Sequence, residues 1–498
     1  MKHTTTRISA ILLALLMLLL SFAAVSCGEN GNSETTTAAV DATTADPGND
    51  DPAETEPVFA DANYGGVTFL VYHRSDNAAS YGGHYITAED VSDLMSESVF
   101  KRNEAVAIKY NVKIEALQAT DPYKDVGTQI DSDLCEFSAI LDRRSQMASL
   151  SKKNYLYNFN DLGIDYTTPW WDANCARDYD INGKLFFMAN DTSVANLAGA
   201  RFFYFNKNLI TKHNLENPYD LVEQNAWTLE KLMTMINAVA EDNGDGVKDG
   251  NDIYGLCMET GESNGNVMHL LVGCGVRFSE MKDGQLITEV NNQKTDDILE
   301  IIRKGIYDSP STISYGNAEK GMETNGLGTY DFGRNLFANG HFLFIQGNMG
   351  VASQFADMTD DYGAVVNPKY NPEQESYYHK MDKYSLIWAI PNCKSTNYEM
   401  VKNVMDYWAY VSSKTVMEDY YEITIKTRRV QDPTASAMLD KVKATIVYDL
   451  SDLYGITVAA AIYSAYDSGS TLGATWRGYK SVIETNCAKL IEDIGNLS

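Results

Sequence analysis

The sequence predicts an α/β fold that begins with a parallel sheet, in a chain of 498 residues, long enough for two or three lobes with sizeable cores. Two observations carry this. Residues 66–72 and 138–141 are short, nearly all-apolar runs, as expected of strands covered on both faces. Around them, apolar residues recur at helical spacing and then alternate, which gives the order strand–helix–strand–helix–strand of a parallel unit.

Taken in order, the chain opens on a segment unlike the rest. Lys2 and Arg7 precede an uncharged apolar run over residues 8–26, which ends in Ala24, Val25 and Ser26 before Cys27. A basic head, an apolar middle and a small-residue junction describe a secretory signal. The Ala-Val-Ser-Cys junction also resembles the lipobox of bacterial lipoproteins, in which the cysteine is diacylated and becomes the first mature residue. The expectation is a signal peptide over 1–26, lipidation at Cys27 and an extracytoplasmic body held to the cell membrane by that lipid alone. A retained helix or an ordinary cleaved signal would place the body on the same side. Residues 28–62 hold nine acidic residues, no basic ones and three prolines. Such a stretch buries too little apolar surface to offset its ordering entropy, so 27–62 reads as a disordered acidic tether. As a random coil it reaches about 30–35 Å.

The folded body is expected from residue 63. After the strand at 66–72, Val91, Leu94, Met95, Val99, Val106 and Tyr110 mark a helix that stops at Asn111. Residues 112–117 alternate as a strand, and 138–141 form the third. Parallel sheets bind ligands at the carboxyl ends of their strands, so the loops at Tyr72, His73 and Arg74 and at Asp142, Arg143 and Arg144 are candidate contact points. Residues 202–205 read as a strand entering a helix. Thr228 caps a further helix whose buried face is Leu229, Leu232, Met233 and Ile236. Residues 342–345 are another continuous strand, ending at Gln346, Gly347 and Asn348. The last helix carries one stripe: Trp476, Tyr479, Val482, Ile483, Cys487, Leu490, Ile491 and Ile494. There is no internal repeat.

A formal charge of −28 argues against nucleic acid or anionic lipid as partner. Tyr is abundant (31) and His scarce (7), a balance that favours ring faces over a His-rich metal or acid–base centre. Beyond Cys27, the cysteines Cys135, Cys175, Cys257, Cys274, Cys393 and Cys487 show no zinc spacing. An even number outside the cell permits disulfides that the sequence does not pair, and buried thiols are the simpler reading.

Three constellations carry chemistry. From Glu241, oxygen ligands fall at the EF-hand positions as Glu241, Asn243, Asp245, the Val247 carbonyl, Asp249 and Asp252, with Gly246 at the sharp turn. Glu at the first position and the short Asp at the last depart from that pattern. The expectation is a structural Ca²⁺ site, against a solvated acidic turn. Residues 261–265 match G-x-S-x-G, which would make Ser263 a nucleophile served by His341 or His379 in an extracellular hydrolase; no oxyanion loop accompanies it, and a plain turn is favoured. Aromatic residues beside polar groups suit sugars, whose rings have apolar faces and polar edges. Trp170 and Trp171 are adjacent in a loop, and Trp476 precedes Arg477 at the start of the last helix. Tyr72, Arg74, Asp191 and Asn348 lie at strand ends or crossings. Trp227, Trp388 and Trp408 fall in regular patterns and read as core.

The segments VTFLVY, KRNEAVAIKYNVKIE, RFFYFNKNLI, WTLEKL, NGHFLFIQGNMG, YGAVVNPKYN and IWAIPNCKSTNYE occur in that order. With the lipobox and tether they resemble the family 1 extracellular solute-binding lipoproteins of ABC importers, the group that includes maltodextrin-binding protein. The resemblance covers residues 64–494. It implies a two-lobed periplasmic-binding-protein-like (type II) fold, each lobe a mixed sheet flanked by helices, with the ligand cleft between them. Chain crossings near Arg201, Ile345 and Ser413 would give one lobe from 63–200 and 346–412 and another from 201–345 and 413–498. It further implies that Trp476 stacks on sugar and that some members carry a calcium loop before a Tyr-Gly strand, here Tyr254 and Gly255. The function implied is that of a monomeric, non-catalytic binding protein that takes up a carbohydrate, with an oligosaccharide expected, and delivers it to an ABC permease by lobe closure. The alternatives are an extracellular carbohydrate-active hydrolase, which would need paired carboxylates in one cleft, and a binding protein for a peptide or other non-sugar solute.

Overall fold

Residues from both ends of the chain build the first sheet, and a second sheet is inserted between them. The computed structural model describes residues 57–74, 85–88, 91–259, 266–355, 357–382, 384–426 and 433–497. The expected signal segment, Cys27, the tether up to residue 56 and Ser263 lie outside the described residues. Among the described residues no helix is long and apolar enough to cross a membrane.

The first sheet starts with β1 (Val67–Arg74), α1 (Leu94–Tyr110), β2 (Val112–Ala119), α2 (Pro122–Asp131), β3 (Ala139–Arg143) and α3 (Arg144–Ser151). Central β1 pairs in parallel with β2, from Val67↔Val112 to Arg74↔Ala119, and with β3 through Val71↔Ala139. Its buried Phe69, Val71 and Tyr72 need cover on both faces, whereas edge strand β2 alternates buried Val112 with exposed Lys113. Asp93 starts α1 by accepting the Ser96 N–H at 2.9 Å. Asn111, at φ 49°, ends it in the left-handed conformation and turns the chain directly into β2.

The second sheet comprises β4 (Phe202–Asn206), β5 (Ala240–Glu241), β6 (Ile253–Cys257), β7 (Thr312–Ile313), β8 (Phe342–Gly347) and β9 (Tyr362–Val365), with α4 (Leu229–Asn237) between β4 and β5. Its order is β9-β4-β8-β6-β5, with β7 also on β6; β8 is parallel to β6 and antiparallel to β4. The chain then returns as β10 (Leu386–Ala389), antiparallel to β3 with Leu386 opposite Arg143. Of the closing helices, α5 (Tyr398–Ser413) and α6 (Val416–Lys426) pack on α1, α7 (Pro433–Ala444) packs on β9, and α8 (Val458–Ser468) packs on α9 (Leu472–Gly495).

Three boundaries differ from expectation. Tyr362–Val365 pairs with β4 and is buried throughout, so the return to the first sheet follows residue 365 and not Ile345. The chain also stays with α1 through α6, beyond the crossing expected at Ser413. The body begins at Phe59, within the expected tether, because its ring packs 5.0 Å from both Tyr407 and Tyr410.

Trp227, Trp388 and Trp408 are core, as their patterns indicate. Trp227 donates its indole N–H to the Val366 carbonyl at 2.7 Å. On α9, Trp476, Ile483, Cys487, Leu490 and Ile494 are buried, but Val482 is 52% exposed. It adjoins Ile483 in sequence and so lies about 100° round the helix, off the buried stripe.

The backbones of α4 and β6 meet at Gly255, where an added Cβ would lie 2.0 Å from the Ile236 carbonyl oxygen. Gly255→Ala should therefore cost about 3 kcal/mol, read as a lower urea midpoint at unchanged m-value.

Candidate functional site

The carboxyl ends of β1, β2 and β3 share one end of the first sheet, and antiparallel β10 begins there. In the second sheet the ends of β6 and β8 adjoin the start of β4. The two ends meet at the chain crossing: Ala200 bridges Met381, and the Asp382 N–H donates to the Gly199 carbonyl at 2.9 Å.

Charges hold this seam. Arg201, at the start of β4, donates to one Asp382 carboxylate oxygen from Nε at 2.8 Å and from Nη2 at 2.6 Å. Fully buried Arg144, at the end of β3, donates to the carbonyls of Asp382 (2.7 Å) and Met381 (3.1 Å) and to the Tyr179 hydroxyl (2.7 Å). It also lies 3.4 Å from the Asp452 carboxylate, which Lys380 approaches at 2.9 Å. Burial pushes the Asp382 carboxyl up, but Arg201 and the Tyr384 N–H outweigh it and hold the group well below the ordinary range. Burial acts likewise on Asp452, and Lys380 and Arg144 bring it below its ordinary value.

Beside these paired charges sit unpaired amides. Both polar atoms of the Gln346 side chain and the Asn348 Oδ1 are buried without a hydrogen-bond partner, at the carboxyl end of β8. Buried amides normally find partners, so these are poised to meet a ligand or water.

A cavity of about 400 Å³ opens at the flank of the seam, lined by Trp171, Asp172, Asn190, Asp191, Asn196 and Lys443 among others. Its walls belong to both halves. Met188 bridges Trp388 of β10 and Asn190 bridges Trp171, which extends the first sheet's edge, while Lys443 projects from α7, which packs on β9. Lys443 reaches the Asp191 carboxylate at 2.9 and 3.0 Å. Burial raises Asp191, and Lys443 offsets part of that rise. One indole wall, carboxylates, amides and an ammonium thus face a space of ligand size.

The structure therefore brings Trp171 and Asp191 together, with Asn348 at the neighbouring strand end. It places the other sequence candidates differently. The Tyr72 hydroxyl donates to Asp125 of α2 while its ring stacks on Phe137. Arg74 pairs with buried Asp142 and donates to the Thr120 carbonyl at 2.7 Å. Trp170 packs by its ring on Tyr410, and both it and Trp171 donate indole N–H to Asp406 at 2.8 Å. Trp476 lies in the buried stripe of α9 and Arg477 is exposed; neither lines the cavity. Lys443, Gln346 and the Arg201–Asp382 pair were missed. Lys443 gives no local signal, because its partner Asp191 lies far away along the chain.

The acidic loop also differs. Glu241 holds the end of β5 opposite Ile253, and its carboxylate meets Lys212 at 2.8 Å and His213 at 3.0 Å, so it is not a ligand. Asp242 takes its place: carboxylate oxygens of Asp242, Asp245 and Asp252 lie within 4.8 Å of one another. Asn243 accepts the Asp245 N–H at 3.0 Å and donates to the Asp245 carboxylate at 3.2 Å, and Asp249 accepts the Asn251 N–H at 2.8 Å. Val247 is exposed.

The histidines considered beside Ser263 are engaged elsewhere. The His341 ring nitrogen lies 3.2 Å from the Asp252 carbonyl. Buried His379 accepts the Asn367 N–H at 3.0 Å and contacts the Thr445 hydroxyl at 2.8 Å.

No family model and no curated protein matches the sequence. Solved structures do match by fold. The maltose-binding protein of Listeria monocytogenes, in complex with maltose, superposes with TM-score 0.53 and 14% identity over 85% of this chain and 98% of its own. A cyclo/maltodextrin-binding protein with maltotetraose gives 0.53 and 11% over 84% and 97%. An ABC substrate-binding protein of Listeria monocytogenes with cycloalternan gives 0.51 and 13% over 84% and 99%. The chain has the fold of these two-lobed solute-binding proteins. In this solute-binding fold the two sheets described above are the cores of the two lobes, and the seam is where the lobes meet.

Burial holds two histidines at this seam neutral. His379 is brought down to about 3, and His269 is held well below its ordinary value by burial and then by Lys380 and Arg201. A histidine that resists protonation when folded but accepts it when unfolded destabilises the fold as pH drops below the unfolded value. Stability should be level above pH ~6.5 and fall by up to about 2.7 kcal/mol per pH unit below it. Urea unfolding between pH 7.5 and 5 measures this, and His379→Gln should halve the slope.

Proposed function

We propose that the protein is an extracytoplasmic, non-catalytic solute-binding lipoprotein that takes a carbohydrate, such as an oligosaccharide, at the seam between its lobes and passes it to an ABC permease. The observation that carries this reading is the flank cavity, where Trp171 stands beside Asp191, Asn190, Asn196 and Lys443. A ring face matches the C–H face of a sugar, and the surrounding carboxylates and amides match its hydroxyls. The orphan amides of Gln346 and Asn348 add further uncharged donors and acceptors. The sugar complexes among the fold relatives support the same ligand class. Closure follows if sugar contacts both lobes, because only the closed state then makes every contact. Membrane attachment through Cys27 keeps the captured solute near its permease.

A glycan and peptide panel read by thermal shift tests this. A sugar ligand should raise the melting temperature and be recovered intact; Trp171→Phe and Asp191→Asn should each weaken it about tenfold or more. Turnover of the sugar, or a shift with peptides alone, overturns the reading.

We further propose that Asp242, Asp245 and Asp252 hold a structural Ca²⁺. Three carboxylates so close repel one another, and a hard cation with oxygen ligands removes that repulsion. EDTA should lower the melting temperature and Ca²⁺ restore it; in Asp245→Ala neither should have an effect.

A further inference from the structure

Away from the seam, two cysteines stand side by side. Cys135 precedes β3 and Cys393 follows β10. The antiparallel register runs from Leu386↔Arg143 to Ala389↔Ile140, and carried outward it sets residue 393 beside 136. A disulfide requires a Cα separation of about 4.4–6.8 Å, within reach of two loops that leave adjacent paired strands. The two loops are tied to each other. The Asp133 carboxylate accepts the Lys394 N–H at 2.8 Å and the Cys393 thiol at 3.3 Å. The Tyr398 hydroxyl accepts the Cys393 N–H at 2.9 Å, and burial, then the neighbouring Cys393, push the Cys135 thiol well above its ordinary value. Both are thiols in the structure, Cys135 half-buried and Cys393 buried. Cys175, Cys257, Cys274 and Cys487 are all buried.

We propose that Cys135 and Cys393 are a disulfide-forming pair that closes when the folded chain meets a disulfide oxidant. Solvent base takes the proton of the half-buried Cys135 thiol as its sulfur attacks one sulfur of an external disulfide, forming a mixed disulfide and expelling a thiolate that takes up that proton. Cys393 then attacks the Cys135 sulfur. The protein disulfide forms, and the second external thiolate leaves with the Cys393 proton. The external disulfide is reduced to two thiols as the pair is oxidised. The bond joins edge strand β10 to its inner neighbour β3 at the end of the first sheet away from the ligand seam, so this inference is independent of what the seam binds. It would close a covalent loop around the whole second sheet.

The full chain, incubated with glutathione disulfide, is quenched in acid, unfolded, alkylated with iodoacetamide and mapped by mass spectrometry. Cys135 and Cys393 should escape the label and appear as one linked peptide pair, while Cys175, Cys257, Cys274 and Cys487 are alkylated. Reductant before alkylation should make all six reactive. Cys393→Ser should leave Cys135 alkylated or carrying glutathione. Alkylation of both cysteines in the oxidised wild-type chain, glutathione persisting on Cys135 there, or a link from either one to another cysteine overturns the proposal.

Discussion

Where the two lobes meet, one carboxylate answers to both. Asp382 lies on the return from the second sheet to the first; its side chain is clamped by Arg201 at the start of β4, and its backbone carbonyl is held by Arg144 at the end of β3. A buried ion costs several kcal/mol to desolvate, and losing one partner leaves the other charge stranded. Each of these residues thus tolerates burial because the other two are present. The second anchor, Asp452 between Lys380 and Arg144, follows the same rule.

The network leaves one class of side chain unserved. Gln346, on the strand that pairs with β4, and Asn348, just beyond it, keep buried amide atoms without a hydrogen bond. An unsatisfied buried amide is a standing cost of about 1–3 kcal/mol, offset when a partner arrives. Uncharged donors and acceptors at a strand end suit a ligand whose hydroxyls or amides can pair with them. Recognition in such a site comes from geometry and desolvation more than from net charge, despite the acidity of the chain.

Much of the fold was legible in the sequence. The apolar runs that became β1, β3, β4 and β8 are strands because burial on both faces favours apolar side chains along most of their length, and Asn111 and Thr228 mark helix ends through local hydrogen bonding. The site was less legible. Trp171 and Asp191 stood out by residue type, but Lys443 was invisible because the contact depends on how α7 packs on β9. Tyr72, Arg74 and Trp170 do not line the cavity, for a related reason. Strand ends and aromatic loops are where ligands bind, yet the same residues there are spent on internal partners, Asp125, Asp142 and Asp406. In the acidic loop only Asp245 and Asp252 of the expected ligands lie in the carboxylate cluster, and pairing within β5 and two basic neighbours engage Glu241 instead.

The late arrival of β10 bears on how the chain reaches this state. β1, β2 and β3 are near neighbours in sequence and can pair early, but the other edge of β3 waits for Leu386–Ala389, after the entire second sheet has been made. Closing so long a loop costs entropy before any contact repays it, so this step is slow. Until then β3 is an unpaired apolar edge, open to association with other chains. Holdase chaperones that shield such an edge should matter most while the second half of the polypeptide is still being synthesised.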